Sequence, residues 1–241
     1  MPRGVLGVLG GMGPEATVHF LRLLVEMTPA RRDQDHVPVV VVSDPRVPDR
    51  SEHILRGGPD PVPAMVRGLR LLEAAGVDLV VIPCVTAHAF LERLRGAVSV
   101  PIMDILEEAA LAVEAIGASR VGVLATDGAL ASGVVESRME RVGAELVLPE
   151  RQDRVMEAIY RIKAGEKEGP RRALLEEARS MLERGAEVIL AGCTEVPLVL
   201  SRSDVPMVDP MEETARAVLR EFGYPVPGPR GVGPAGRRPT S

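Results

Sequence analysis

Short runs rich in β-branched and other apolar residues alternate along the chain with segments whose apolar positions return every three or four residues. The first pattern predicts buried strands and the second amphipathic helices. Candidate strands are Val5–Leu9, Val37–Val42, Leu79–Ile82, Val121–Leu124, Glu145–Leu148 and Val188–Ala191. Amphipathic stretches lie between them at Ala64–Ala75, Leu106–Ile116, Arg154–Lys163 and Arg172–Arg184. Strands that are apolar throughout and separated by helices are buried on both faces, as in a parallel sheet.

The order of these features occurs twice. Val5–Gly11 (VLGVLGG) opens one half and Val121–Gly128 (VGVLATDG) the other. In each half a helix, a Gly and an apolar strand lead to a cysteine: Cys84-Val85-Thr86 first, Cys193-Thr194-Glu195 second. Val100-Pro101-Ile102-Met103-Asp104 is echoed by Val205-Pro206-Met207-Val208-Asp209, and a Glu-containing helix follows each. The offset between matched features shrinks along the chain, so the first half carries extra residues, in the loop around Ser43–Gly58. The expected fold is α/β, with two pseudo-symmetric domains, each a parallel sheet flanked by helices, and a site in the cleft between them. The first domain takes residues 1–103 and 208–223, including the helix Met211–Phe222, and the second takes 104–207. The tail, residues 224–241, is rich in Pro, Gly and Arg, lacks apolar periodicity and reads as disordered.

A chain of 241 residues can bury two such cores, and its 46% hydrophobic and 26% charged content is that of a soluble globular protein. A net charge of -5 argues against nucleic acid as partner. No run approaches the roughly 18 apolar residues of a membrane span, and the first residues lead straight into a strand pattern, so a cytoplasmic location is expected. Asn is absent and only Gln34, Gln152, Lys163 and Lys167 represent Gln and Lys. Adaptation to heat and a genomic preference for Arg both produce such a bias.

Two cysteines make no disulfide framework and have no metal-ligand spacing around them. A lone free cysteine is more often buried and inert than chemical. Here both follow strand carboxyl ends, where parallel sheets form their binding crevice. Facing domains would therefore present Cys84 and Cys193 to one cleft from opposite sides. Helix amino termini after each would favour thiolate. His88 would share a helical face with the Cys84 turn, to orient its thiol or simply to pack. Glu195 reads as a helper to Cys193 or as an acidic residue at a helix start. The Gly10–Gly13 loop lacks both G-x-G-x-x-G and a P-loop lysine, which excludes a nucleotide cradle.

Gly10-Gly11-Met12-Gly13-Pro14-Glu15-Ala16-Thr17, Pro48-Asp49-Arg50, Pro83-Cys84-Val85-Thr86-Ala87-His88, Leu124-Ala125-Thr126-Asp127-Gly128, Ile162-Lys163-Ala164-Gly165 and Ala191-Gly192-Cys193-Thr194-Glu195 occur in this order. Together they resemble the aspartate/glutamate racemase family, from about residue 4 to residue 220. The resemblance implies a homodimer that needs no pyridoxal phosphate, metal or other cofactor and takes a small amino-acid substrate. It implies Cys84 and Cys193 as the two acid–base groups, and Arg50 and Lys163 as the cations that hold substrate carboxylates. Thr86, Thr126 and Thr194 would line the site with backbone amides of Gly11, Met12 and Gly13. By position alone Arg50 lies in a polar turn where a solvated arginine is the ordinary outcome, with Arg46 a weaker candidate for the same work. Lys163 could equally complement a helix dipole, and the threonines could cap helices.

Racemisation removes the Cα hydrogen from one face and returns a proton to the other, so one group per face is the simplest machinery. Cysteine titrates near pH 8.5, close enough to neutrality for one thiol and one thiolate to coexist. At one position the chain departs from the family pattern, reading Cys84-Val85-Thr86 where Cys-Asn-Thr is usual. That Asn is expected to bond the amino-acid head, and Val85 has no polar atom. The expected activity is racemisation of an acidic amino acid, aspartate before glutamate. A hydantoin racemase, an arylmalonate-type decarboxylase, a diacid cis-trans isomerase and a non-catalytic binding module are the alternatives.

Overall fold

The computed structural model describes residues 4–226. The chain runs β1 (Leu6–Gly10), α1 (Pro14–Met27), β2 (Val39–Ser43), α2 (Arg50–Arg56), α3 (Val62–Ala74) and β3 (Leu79–Val81). A 3-10 helix, Val85–Phe90, leads to α4 (Leu91–Arg95) and α5 (Ile105–Ile116). The second half continues with β4 (Arg120–Val123), α6 (Asp127–Ala131), α7 (Val134–Arg141), β5 (Glu145–Val147) and α8 (Gln152–Lys163). It closes with α9 (Glu168–Glu183), β6 (Val188–Leu190), β7 (Met207–Val208) and α10 (Pro210–Glu221).

All strand pairs are parallel. The first sheet has the order β2-β1-β3 and the second β5-β4-β6-β7. A parallel bridge between Val80 and Ile102 puts the first Val-Pro segment where β7 stands in the second sheet. The two sheets are thus copies of one arrangement. The repeated aspartates have a structural reason: Asp104 accepts from the amides of Leu106 and Glu107 to cap α5, and Asp209 accepts from Met211 to cap α10.

Alternation along the strands divides the core. Leu6 and Val8 face a cluster shared by both halves, with Phe20, Val113, Val121, Met211 and Val218. Leu9 faces a second cluster with Met65, Leu69 and Ile82. The second sheet has its own, with Leu124, Ile159, Leu174 and Ile189. Helix α10 packs on α1 and on α5. Of the carboxy-terminal tail, Tyr224 and Val226 pack on the shared core, and residues 227–241 lie outside the described residues. Among the described residues no helix is long and apolar enough to cross a membrane.

Two local readings change. Arg50 is not in a turn but is the first residue of α2, which Asp49 caps by accepting from the Glu52 amide at 2.8 Å. The cysteines do not sit at amino termini of long helices: a 3-10 helix follows Cys84, and a turn followed by the three-residue 3-10 helix Val196–Leu198 follows Cys193. So short a segment carries little dipole to stabilise thiolate.

The halves also meet through α2 and α6. A methyl group on Gly128 would lie 2.6 Å from the Ser51 Cα, so only glycine permits this approach. Gly128→Ala should therefore push α6 away from α2, at a cost of about 1–3 kcal/mol for overpacking. A depressed thermal midpoint, measured against Gly133→Ala as a strained but open surface glycine, checks this origin.

Candidate active site

The loops at the carboxyl ends of the equivalent strands β3 and β6 bring Cys84 and Cys193 into one cavity. This narrow cavity, of about 10 Å³, is lined by Met12, Asp49, Arg50, Ser51, Cys84, Val85, Thr86, Thr126, Lys163, Cys193, Thr194 and Glu195. Both thiols are free and buried. A wider opening outside, bounded by Gly11–Glu15, Pro45 and Val47, shares Met12, Asp49, Arg50, Lys163 and Glu195 with it. These five residues line both spaces.

Gly11 lines only the outer opening, and its amide is already donated to the Thr17 hydroxyl at 3.0 Å. Its part is conformational. Its φ of +93° suits glycine, and a Cβ would lie 2.5 Å from the Asp44 backbone. A Cβ on Gly13 would lie 2.9 Å from Glu195 Oε1, so this bare loop makes room for a carboxylate.

Arg50 reaches the cavity from the start of α2. Its Nη1 donates to the carbonyls of Val47 and Pro48, at 3.3 and 3.0 Å, and its Nη2 to that of Met12 at 3.5 Å. These bonds fix the guanidinium, while its buried Nε has no hydrogen-bond partner among the described residues. Burial alone would lower the Arg50 pKa, but the charges of Cys84, Asp49 and Glu195 raise it. Arg46, in contrast, lies in solvent against Asp44.

Lys163 ends α8. Part of the residue is exposed at the rim, and its Nζ lies 5.5 Å from the Tyr160 ring centre. Against burial, Glu195, Cys193 and Cys84 raise its pKa, and no carboxylate lies within ion-pair distance of it among the described residues. Lys167 instead pairs with Glu15 at 2.6 Å. Thr86 and Thr126 come from opposite halves and bond through their hydroxyls at 2.9 Å, while Thr126 also caps α6 through the Ala129 amide. Both readings of that threonine hold together.

The two cysteines have different neighbours. The Cys193 thiol donates to Glu195 Oε2 at 2.9 Å. Burial, then the Glu195 charge, push the Cys193 pKa well up, and Lys163 opposes them. Cys84 has an indirect support. His88 Nδ1 donates to the Cys84 carbonyl at 2.9 Å, and its Nε2 accepts from the Ile105 amide at 3.4 Å. His88 is thus a neutral strut between the Cys84 turn and α5, not a partner of the thiol. Sequence reasoning placed Arg50, Lys163 and the threonines but left Asp49 and Ser51 out. The Asp49-Arg50-Ser51-Glu52 cap pattern was the signal for that helix start. Among the described residues no His, Cys, Asp or Glu cluster could hold a metal ion.

A model of the Asp/Glu/Hydantoin racemase family matches residues 9–218. The broad specificity amino-acid racemase RacX of Bacillus subtilis is 26% identical over 225 residues, which cover 90% of this chain and 98% of that protein. The structure of Picrophilus torridus aspartate racemase superposes with a TM-score of 0.87 at 29% identity, covering 93% of this chain and 96% of that one. A glutamate racemase of Koribacter versatilis is 27% identical over 177 residues, and the match spans 59% of that protein.

Burial lowers the His88 pKa against the opposing charge of Asp104, while Arg138 lowers it further. A group whose folded pKa is depressed contributes stability that is full above its unfolded value and lost as pH falls through the folded one. Unfolding free energy should therefore decline from about pH 7 downwards, as the unfolded His88 protonates. Urea titrations at stepped pH should show a shallower decline for His88→Gln, and an equal slope would refute this origin.

Proposed function

The chain belongs to the Asp/Glu/Hydantoin racemase family, and on that premise we propose that it racemises an acidic amino acid, aspartate before glutamate, with Cys84 and Cys193 as a two-base pair and no cofactor. The observation that carries this reading is the convergence of two thiols, from equivalent strand ends of the two halves, on one cavity that also holds Arg50 and Lys163. One thiolate takes the Cα hydrogen as a proton. The thiol opposite gives its own proton to the other face of the planar carbanion, and the roles exchange for the other enantiomer.

Two cations in one cavity suit a substrate with two carboxylates. Arg50 is held by three backbone carbonyls, and its buried Nε has no hydrogen-bond partner among the described residues. Lys163 brings a second charge without a carboxylate partner of its own. Anchored at both ends, the substrate holds its Cα between the sulfurs, and such alignment supplies a large share of rate acceleration. The hydroxyls of Thr86, Thr126 and Thr194 complete the polar wall. The homodimer that the resemblance implies would cover apolar surface at Val18 and Val25 of α1 and Val41 of the edge strand β2.

Proton NMR of aspartate in deuterated water tests the reaction directly: the Cα hydrogen should exchange while the opposite enantiomer accumulates. Cys84→Ala and Cys193→Ala should each lower racemisation by on the order of 10²-fold or more while the fold persists. Retention of more than about a tenth of the turnover by either variant would exclude the two-base reading.

Val85 lies in the cavity wall, 2% exposed, and also packs on the shared core. It offers nothing to the polar head of an amino acid. A missing neutral hydrogen bond costs about 0.5–1.5 kcal/mol, or roughly 2- to 13-fold. Val85→Asn should improve kcat/KM for aspartate by that factor. If the wild type shows no Cα exchange with aspartate or glutamate and Val85→Asn creates it, the natural substrate is not an acidic amino acid. The isomerase or decarboxylase reading then takes the place of this one.

A further inference from the structure

We infer that Glu195 is a positioning residue that keeps Cys193 in its thiol form between turnovers, so that the ligand-free enzyme begins its cycle with Cys84 as base and Cys193 as acid. The inference rests on the two thiols being the acid–base pair proposed above, but it concerns how their protons are held, which can be read without substrate.

The geometry singles out one thiol. The Cys193 sulfur lies 2.9 Å from Glu195 Oε2, and the Thr194 hydroxyl donates to the same oxygen at 3.4 Å. Cys193 is 5% exposed and Glu195 3% exposed, so water screens their interaction little. A thiolate formed there would stand against a carboxylate in a dry site, and two anions so close do not both persist cheaply. Among the described residues no carboxylate accepts from the Cys84 thiol, and the cations that face it are the guanidinium of Arg50 and the ammonium of Lys163. The groups that face the Cys193–Glu195 pair are Lys163 from α8, Arg50 from α2, and Cys84 across the cavity. Both cations soften the repulsion, but neither removes the direct contact.

Through one turnover the protons balance. The Cys84 thiolate takes the Cα hydrogen and becomes a thiol. The C–H electron pair stays on the substrate, and Cys193 gives its S–H proton to the opposite face and becomes a thiolate. Cys193 then stands beside Glu195 with Lys163 as counter-charge, a state higher in energy than the starting one. Release of product lets one proton leave Cys84 for solvent and one return to Cys193. Glu195 drives that return because reprotonation removes the repulsion. Gly13 belongs to the same arrangement, since a Cβ there would crowd the Glu195 carboxylate, 2.9 Å from its Oε1.

Residue-resolved alkylation decides the matter, because iodoacetamide reacts with thiolate and not with thiol. The ligand-free chain is treated from about pH 6 to pH 10 and each cysteine followed by mass spectrometry. At neutral pH Cys193 should be labelled more slowly than Cys84, by about tenfold or more. The pH midpoint of Cys193 labelling should lie above that of an ordinary cysteine, near 8.5. Glu195→Gln removes the charge and can donate to a thiolate, so it should move that midpoint down by about one pH unit or more. The midpoint reports ionisation regardless of access, whereas a purely structural role would change rates alone. An unmoved midpoint in Glu195→Gln, or Cys193 labelled as fast as Cys84 at neutral pH, overturns the inference. Should the variant not fold, the wild-type midpoint decides, and an ordinary value overturns it. Failure of Cα exchange in the racemase assay would leave this labelling result readable on its own.

Discussion

Gly128 lies so close to Ser51 that a single added carbon would meet the Ser51 backbone at 2.6 Å, and α2 and α6 approach this closely because glycine stands there. The first half carries Arg50 one residue before Ser51, and the second carries Thr126 two residues before Gly128. On the same side, the hydroxyls of Thr86 and Thr126 meet at 2.9 Å. The place where the halves touch is therefore also the wall of the cavity. The two thiols proposed to reach one carbon from opposite faces need a fixed separation, and interiors packed at this density transmit small displacements without damping them. Small residues at the contact are what allow side chains from both halves to share so small a volume.

The charges in the cavity depend on the same tight frame. Arg50 is neither solvated nor paired in the ordinary way, because three backbone carbonyls hold its terminal nitrogens. Neutral acceptors fix a cation without cancelling its charge, so the charge stays available to a ligand. The bare Gly11–Gly13 loop gives one of those carbonyls, from Met12, and the space beside Gly13 holds Glu195. This glycine-rich loop, which lacks the signature of a phosphate cradle, serves a different end: it presents a carbonyl to a guanidinium and leaves room for a carboxylate.

Much of this was legible in the sequence because the duplication writes each structural rule twice. The paired cysteines, the echoed Val-Pro segments and the Asp caps after them each had a counterpart, and repetition separated them from chance. Features without a counterpart were harder to read. Helix α2 is short and polar, so hydrophobic periodicity could not reveal it, and Arg50 read as a turn residue although Asp49 and Glu52 mark a helix start. The backbone after each cysteine read as helical, yet tight 3-10 turns stand there, set by tertiary packing and not by local propensity. His88 was placed near Cys84 correctly, but its bonds go to backbone atoms that no side-chain pattern encodes. Glu195 read either as a helper to Cys193 or as an acid at a helix start, and two residues of spacing could not decide between them, since spacing says nothing about whether a chain turns back on itself.

Where the two halves differ matters more for chemistry than where they agree. Symmetry alone would give two equivalent thiols, and the strand ends do deliver them equivalently. The residues that follow break the equivalence: Val85-Thr86 puts an apolar wall after one cysteine, and Thr194-Glu195 puts a carboxylate after the other. A racemase converts mirror images whose free energies are equal, so neither direction is favoured at equilibrium. Its side chains are all of one hand, however, and they meet the two enantiomers as different shapes. An acid and a base that begin the cycle distinct are compatible with that requirement, because the equilibrium constrains only the balance of the two directions and not the route each takes. On this reading the repeated strand ends place the groups, and the differing residues after each cysteine determine which proton is held and which is taken.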